Sequence, residues 1–203
     1  MRGGGSSKGL LSIFESNEIV FVLAFALVSQ TAIGFIGAFL GRYSVALDAG
    51  QELVGLLSAV SALSEVPILL VSSKLIRRFG VVPLLIFSCF MSALRLLLVG
   101  TGVIPIMLLG QLLQSVSYMT VYFSCVTYIA RNTKPGCQAR GQSVFAMVQS
   151  GFSVVIANLL GGFICDALGI QAGFYIFSLI TLAAAIGGCL AYLACRKRAS
   201  ATC

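Results

Sequence analysis

The chain has 203 residues, 59% of them hydrophobic and only 9% charged, with a formal net charge of +7, no histidine and a mean hydropathy of +1.04. A soluble domain needs a polar shell, with roughly a quarter of its residues charged, so this balance excludes one and marks an integral membrane protein. The lack of histidine also excludes Ser-His and Cys-His catalysis and the common histidine zinc sites, so no enzyme activity, metal or cofactor is expected.

Residues 1–18, "MRGGGSSKGLLSIFESNE", open with a Gly/Ser stretch of flexible-linker composition and turn weakly amphipathic at Leu10, Leu11, Ile13 and Phe14. They read as a cytoplasmic linker or the remnant of a loop, and a start inside such a loop favours a truncated reading frame. A helix needs about 20 apolar residues to cross the hydrocarbon, and cutting the chain at its charges and turn residues leaves six such stretches between 19 and 195.

The first span, Ile19 to Leu40, is too long for a signal-peptide core and has no cleavage site after it, so it stays in the membrane. Gly34, Gly37 and Gly41 suit close helix packing there, as do Gly161, Gly162, Gly187 and Gly188 later. The second span, Leu53 to Ser73, carries Ser58, Ser61 and Ser64 at near-helical spacing, then Glu65 near its middle and Pro67 just beyond. Proline frees a backbone carbonyl one turn earlier, a break tolerated where a helix lines protein or water. Lys74, Arg77 and Arg78 form a basic loop before the third span, Val81 to Val99, whose outer half holds Arg95.

A charge near the bilayer centre costs about 2.5 kcal/mol or more, so Glu65 and Arg95 are expected to face the bundle or a wet cavity. Their backbones differ in depth by roughly 10 Å, a gap that two long side chains bridge directly or through water. Glu65 has three readings at this point: a proton carrier, a static partner of Arg95, or a residue solvated near the surface.

In the fourth span, Ile104 to Ala130, Gln111, Ser115, Tyr118 and Tyr122 recur at intervals of four, three and four on one helical face, with Gln114 beside it. The fifth, Gly141 to Cys165, adds Gln142, Gln149 and Ser153 on one face with Asn158 deeper, and the sixth runs from Ala172 to Ala194. Three polar stripes suit a cavity that hydrogen-bonds a small polar or amphipathic solute; the competing reading is interhelical glue. Tyr43, Tyr128, Tyr175 and Tyr192 sit near span ends, where tyrosines anchor at headgroup level. Seven cysteines form no C-x-x-C pair and behave mainly as small hydrophobes. Residues 196–203 are a basic tail.

An even number of spans puts both termini on one side. Eleven basic residues (Arg2, Lys8, Lys74, Arg77, Arg78, Arg131, Lys134, Arg140, Arg196, Lys197, Arg198) fall on that side and only Arg42 opposite, which places both termini in the cytoplasm of a multi-pass cell (plasma or inner) membrane protein. The positive charge reflects topology in the lipid bilayer and implies no nucleic-acid partner. "KLIRRFG" (74–80) and "FICDALG" (163–169) each close a span and lead into another containing "IFS". Two copies of three spans must be inverted relative to each other, so the fold class is an all-α membrane protein built as an inverted three-plus-three repeat.

These residues resemble a known family. "SEVPILLVSSKLIRRFGVVPLLIFSCFMSALRLLLVG" (64–100) is similar to helices eight and nine of major facilitator superfamily transporters, most like the branch of lactose permease, the nucleoside:proton symporters and phenylpropionate permease. "LGQLLQSVSYMTVYFSCVTYIA" (109–130) resembles helix ten, and "GGFICDALG" (161–169) the end of helix eleven. The resemblance implies the C-terminal half of a twelve-helix, proton-coupled permease, with an N-terminal six-helix half or a second copy as partner. It also implies a cytoplasmic gating role for Lys74, Arg77 and Arg78. Several members carry a histidine where Gln114 stands, and lactose permease an acid near Ser117; without both, that relay is lost or its proton passes to Glu65. A non-transporting membrane scaffold or an inactive fragment is the alternative.

Overall fold

A computed structural model describes the backbone of residues 18–201 and the side chains of 19–194. The expected linker before residue 18 and the side chains of the basic tail lie outside the described residues. Among those described, six helices are long and apolar enough to cross a membrane: α1 (Glu18–Ala46), α2 (Gly50–Phe79), α3 (Val81–Gly100), α4 (Ile104–Asn132), α5 (Gln138–Leu168) and α6 (Ile170–Ala201). Each span forms where expected, but most helices run further than the apolar stretch. Helical hydrogen bonds are internal to the chain, so a helix continues past the hydrocarbon once its side chains turn polar. Lys74, Arg77 and Arg78 accordingly do not form a loop: they are exposed on the last turns of α2, where cations also suit the helix dipole.

The turn that ends α2 is Gly80, with φ 82° and ψ 170°, its N–H bonded to the Ile76 carbonyl at 3.0 Å. The turn that ends α5 is Gly169, with φ 89° and ψ 157°, bonded to Cys165 at 3.0 Å. Only glycine adopts this backbone without strain, and in both places the next helix starts at the following residue.

α1 is the central helix, packed on α3, α5 and α6 and more lightly on α2 and α4. α3 lies along α6, and α2 lies along α4. Two apolar clusters fill the bundle. One holds Val22, Leu85, Cys89, Val121, Cys125 and Phe145; the other is built on Phe35, which stacks on Phe177 at 4.2 Å and meets Phe39 and Phe174 at 4.8 and 5.0 Å. α5 approaches these rings through Gly161, where a Cβ would come within 2.6 Å of Phe39 and 2.8 Å of Phe35. The expectation of close packing fails at Gly37, Gly41, Gly162 and Gly187, which have nothing within 4 Å of a built Cβ. Tyr43 and Tyr128 are not headgroup anchors: both are buried, and the Tyr43 hydroxyl donates to the Gly100 carbonyl at 2.8 Å, fastening the end of α3.

Candidate functional site: a polar relay between α2, α3 and α4

Glu65 sits half-buried two residues before Pro67, which has no N–H to offer the Leu63 carbonyl. Arg95 projects from α3 and is 4% exposed. The two charges are not in ion-pair contact, so a direct bridge is not what the structure holds. Two glutamines of α4 stand between them. Gln114 Nε2 donates to Glu65 Oε1 at 3.4 Å, and Arg95 NH2 donates to Gln111 Oε1 at 2.7 Å. The physical reason is reach and register: residues three apart share a helix face, so α4 can offer one amide to each charge.

The relay is not fully satisfied within the protein. Arg95 Nε and NH1, Gln111 Nε2 and Gln114 Oε1 are buried without a protein partner. Such atoms are uncommon and each costs on the order of 1–3 kcal/mol, so their concentration at one spot makes it the candidate site.

The other expected residues separate into two groups. Gln111 and Ser115 are buried inside the bundle, Ser115 bonding its own Leu112 carbonyl, while Gln114, Tyr118 and Gln149 are half-buried and Tyr122 is exposed. Gln149 donates to the Tyr118 hydroxyl at 3.0 Å, and the Tyr118 and Tyr122 rings stack with centroids 6.3 Å apart. That bond joins two π-helical stretches, Ser115–Met119 in α4 and Met147–Phe152 in α5. A wide turn leaves backbone groups less regularly paired and recurs at functional sites. By contrast, Ser61 bonds the Ser58 carbonyl, and Asn158 is exposed and bonds the Val154 carbonyl, each closing on its own helix. Gln142 reaches another helix, at the Val126 carbonyl, as interhelical glue does, while Ser153 donates mainly to the Val148 carbonyl of its own helix at 2.6 Å, with the Leu27 carbonyl of α1 at 3.5 Å.

Three features were not foreseen from the sequence. Gln30 lies buried in α1 with its Nε2 unpartnered, beside Ser29, which shares a 3.2 Å bond with Ser92 of α3. The signal was present as the polar triplet Ser29-Gln30-Thr31 in the first span. Arg42 pairs with Asp166 at 3.4 Å where α1 and α5 end, its guanidinium 5.7 Å from the Phe39 ring centre. An open cleft of about 600 Å³ lies beside that pair, lined by Arg42, Gln51, Gly55 and Ser58, away from the relay.

Comparison with known proteins agrees with a membrane-spanning chain. The profile of the MFS_1 like family matches residues 3–176. The protein named probable 3-phenylpropionic acid transporter, from Escherichia coli (strain K12), is 28% identical over 148 residues, covering 72% of this chain and 38% of that relative. The match thus spans well under half the length of the curated relative. The chain belongs to the MFS_1 like family, a family of membrane transporters rather than enzymes, and is a multi-pass protein of the cell membrane.

Proposed function

We propose that this chain is the C-terminal six-helix half of a secondary transporter, with both termini cytoplasmic, which moves a small polar or amphipathic solute by rocking against an N-terminal half or a second copy. The observation that carries the reading is the buried Arg95 and the half-buried Glu65 held apart by Gln111 and Gln114, with free guanidinium donors beside them. A charge kept at this depth without an ion partner is costly in a purely structural bundle and is useful beside a solute path. Glu65 is the proton-coupling group, as the one carboxylate in the middle of a described span.

The inverted repeat is supported by the matching caps at Gly80 and Gly169 and by the packing partners. Exchanging α1 with α4, α2 with α5 and α3 with α6 turns the α1–α5 contact into α4–α2 and leaves α3–α6 in place. The exchange is imperfect, since α1 packs broadly on α3 whereas α4 scarcely touches α6. The relative's named solute, an aromatic ring joined to a carboxylate, belongs to the amphipathic class. Such a molecule suits the Tyr118 and Tyr122 ring faces together with the unpartnered donors of Arg95. Lys74, Arg77 and Arg78 act at the cytoplasmic contact between the halves.

Glu65→Gln in the full-length protein tests the coupling role. Loss of pH-driven accumulation with solute exchange retained is the expected result; accumulation against a gradient that is unchanged rejects Glu65 as the carrier. A non-transporting scaffold is favoured by one set of observations, the side chains that bond neighbouring helices: Gln142 to Val126 and Ser178 to Ala93. A chain of that kind shows no saturable solute binding.

A further inference from the structure

Two neighbouring helices depart from α geometry where they touch. The 3.0 Å bond from Gln149 Nε2 to the Tyr118 hydroxyl joins the π stretch Met147–Phe152 of α5 to the π stretch Ser115–Met119 of α4. A π turn closes its hydrogen bonds over five residues instead of four and is rare, so local contacts must favour it over the regular form. In α5 the Val148 carbonyl accepts both the N–H of Ser153, five residues on, and its hydroxyl at 2.6 Å. In α4 the Ser117 hydroxyl lies 3.0 and 3.2 Å from the Leu113 and Gln114 carbonyls. The Gln149–Tyr118 bond is the contribution the two turns share.

The two helices differ in what holds them on either side of these turns. In α4, Thr120–Asn132 packs on α1, α2 and α3, so it is fixed in the bundle. In α5 the π stretch marks a change of neighbours: Ser153–Leu168 lies along α1 and α6, whereas Gln138–Ala146 rests chiefly on Thr120–Asn132, where Gln142 donates to the Val126 carbonyl at 3.2 Å. Expelling the extra residue from the α5 turn would rotate Gln138–Ala146 against Ser153–Leu168 by about 100° and shift it by about 1.5 Å. The residue just ahead of the α4 stretch is Gln114, whose amide donates to Glu65. The polar relay and the latched turns therefore follow one another along α4.

We propose that the Gln149–Tyr118 bond is a latch on a hinge in α5. Closed, it keeps Met147–Phe152 in the π form; open, that stretch relaxes to α helix and Gln138–Ala146 turns, changing access to the site from its end of the bundle. The proposal rests on the transporter reading above, in which a solute lying on the Tyr118 and Tyr122 rings competes with Gln149 for the Tyr118 hydroxyl and so opens the latch. Tyr118 and Gln149 are positioning residues in this device, and the π turn of α4 sets where the hydroxyl stands.

The test is hydrogen–deuterium exchange of the full-length protein in nanodiscs of phosphatidylcholine and phosphatidylglycerol. A π turn leaves its backbone groups less regularly paired, so relaxation to α helix slows exchange. Tyr118→Phe removes one oxygen from α4 and should slow the amides of 147–152, on the other helix, by roughly fivefold or more. Gln149→Leu should do the same from the α5 side. Gln142→Leu, which breaks the other bond between these helices, should leave 147–152 within about twofold of the unchanged protein.

Faster or unchanged exchange at 147–152 in both latch variants would overturn the proposal, because a bond that merely fastens two helices protects the amides around it. Slowing that extends through Ser153–Leu168 would overturn it too, since the change would then belong to the whole helix and not to a hinge. Slowed exchange confined to 147–152, in a protein whose Glu65→Gln variant still accumulates solute, counts against Glu65 as the carrier and leaves the latch in place. The reverse result, coupling lost with Glu65→Gln and no slowing in the latch variants, removes the latch alone.

Discussion

Arg95 donates to Gln111 at 2.7 Å while its Nε and NH1 have no protein partner, so the most deeply buried cation of the bundle is bonded to a neutral amide and not to a carboxylate. The nearest acid along the same route, Glu65, is bonded to Gln114, one turn further along α4. The atoms left over on the two glutamines are a donor, Gln111 Nε2, and an acceptor, Gln114 Oε1. α4 thus keeps two opposite charges apart with groups that could link them.

If the guanidinium is retained for transport, replacing it with apolar volume should not harm the fold. Arg95→Met with Gln111→Leu removes a desolvated charge together with its partner, a change that is commonly neutral or stabilising by about 1–4 kcal/mol. The expected outcome is a thermal midpoint unchanged or raised and solute uptake lost. A lowered midpoint with uptake intact assigns Arg95 to structure.

The bond between the two π-helical stretches is open to a double-mutant cycle. Gln149→Leu and Tyr118→Phe each remove one side of the 3.0 Å contact, and their effects on stability should couple by about 0.5–1.5 kcal/mol. Additive effects would show that α4 and α5 are not fastened at this point.

Adjacent glycines of α5 should respond in opposite ways. At Gly161 a methyl group meets the Phe35 and Phe39 rings within 3 Å, so Gly161→Ala costs about 1–3 kcal/mol. Gly162 has nothing within 4 Å, and Gly162→Ala should be neutral or slightly stabilising, by up to about 1 kcal/mol. Denaturation of the two variants in the same detergent checks the contrast.

Gly80 and Gly169 share a backbone conformation that an L side chain adopts only with strain. Gly80→Ala and Gly169→Ala are each expected to cost about 1–3 kcal/mol, and by similar amounts. Destabilisation at one and none at the other would remove the main support for two related copies of three helices.

The helices were readable from the sequence because hydrocarbon thickness imposes a length that composition reveals, and the six spans fall within a few residues of their apolar cores. Side-chain partners were much less readable. Periodicity puts Gln111 and Ser115 on the stripe with Tyr118 and Tyr122, but it does not say how a helix is rotated against its neighbours, and the rotation buries the first two. Serine spacing in α2 looked like a cavity wall, yet a hydroxyl in a helix can always close on a carbonyl one turn back, as Ser61 and Ser64 do. Arg42 counted as the lone cation on its side, and nothing in its local sequence points to Asp166, 124 positions away.

The central claim is that Glu65 borders a watery path, and accessibility at that position tests it most directly. In a full-length, otherwise cysteine-free protein, Glu65→Cys and Ser61→Cys are treated with a charged, membrane-impermeant thiol reagent from each side, with and without solute. Modification from at least one side, slowed when solute is bound, is the predicted result. Cysteines that remain unmodified from both sides under every condition would place position 65 in dry protein and contradict the account.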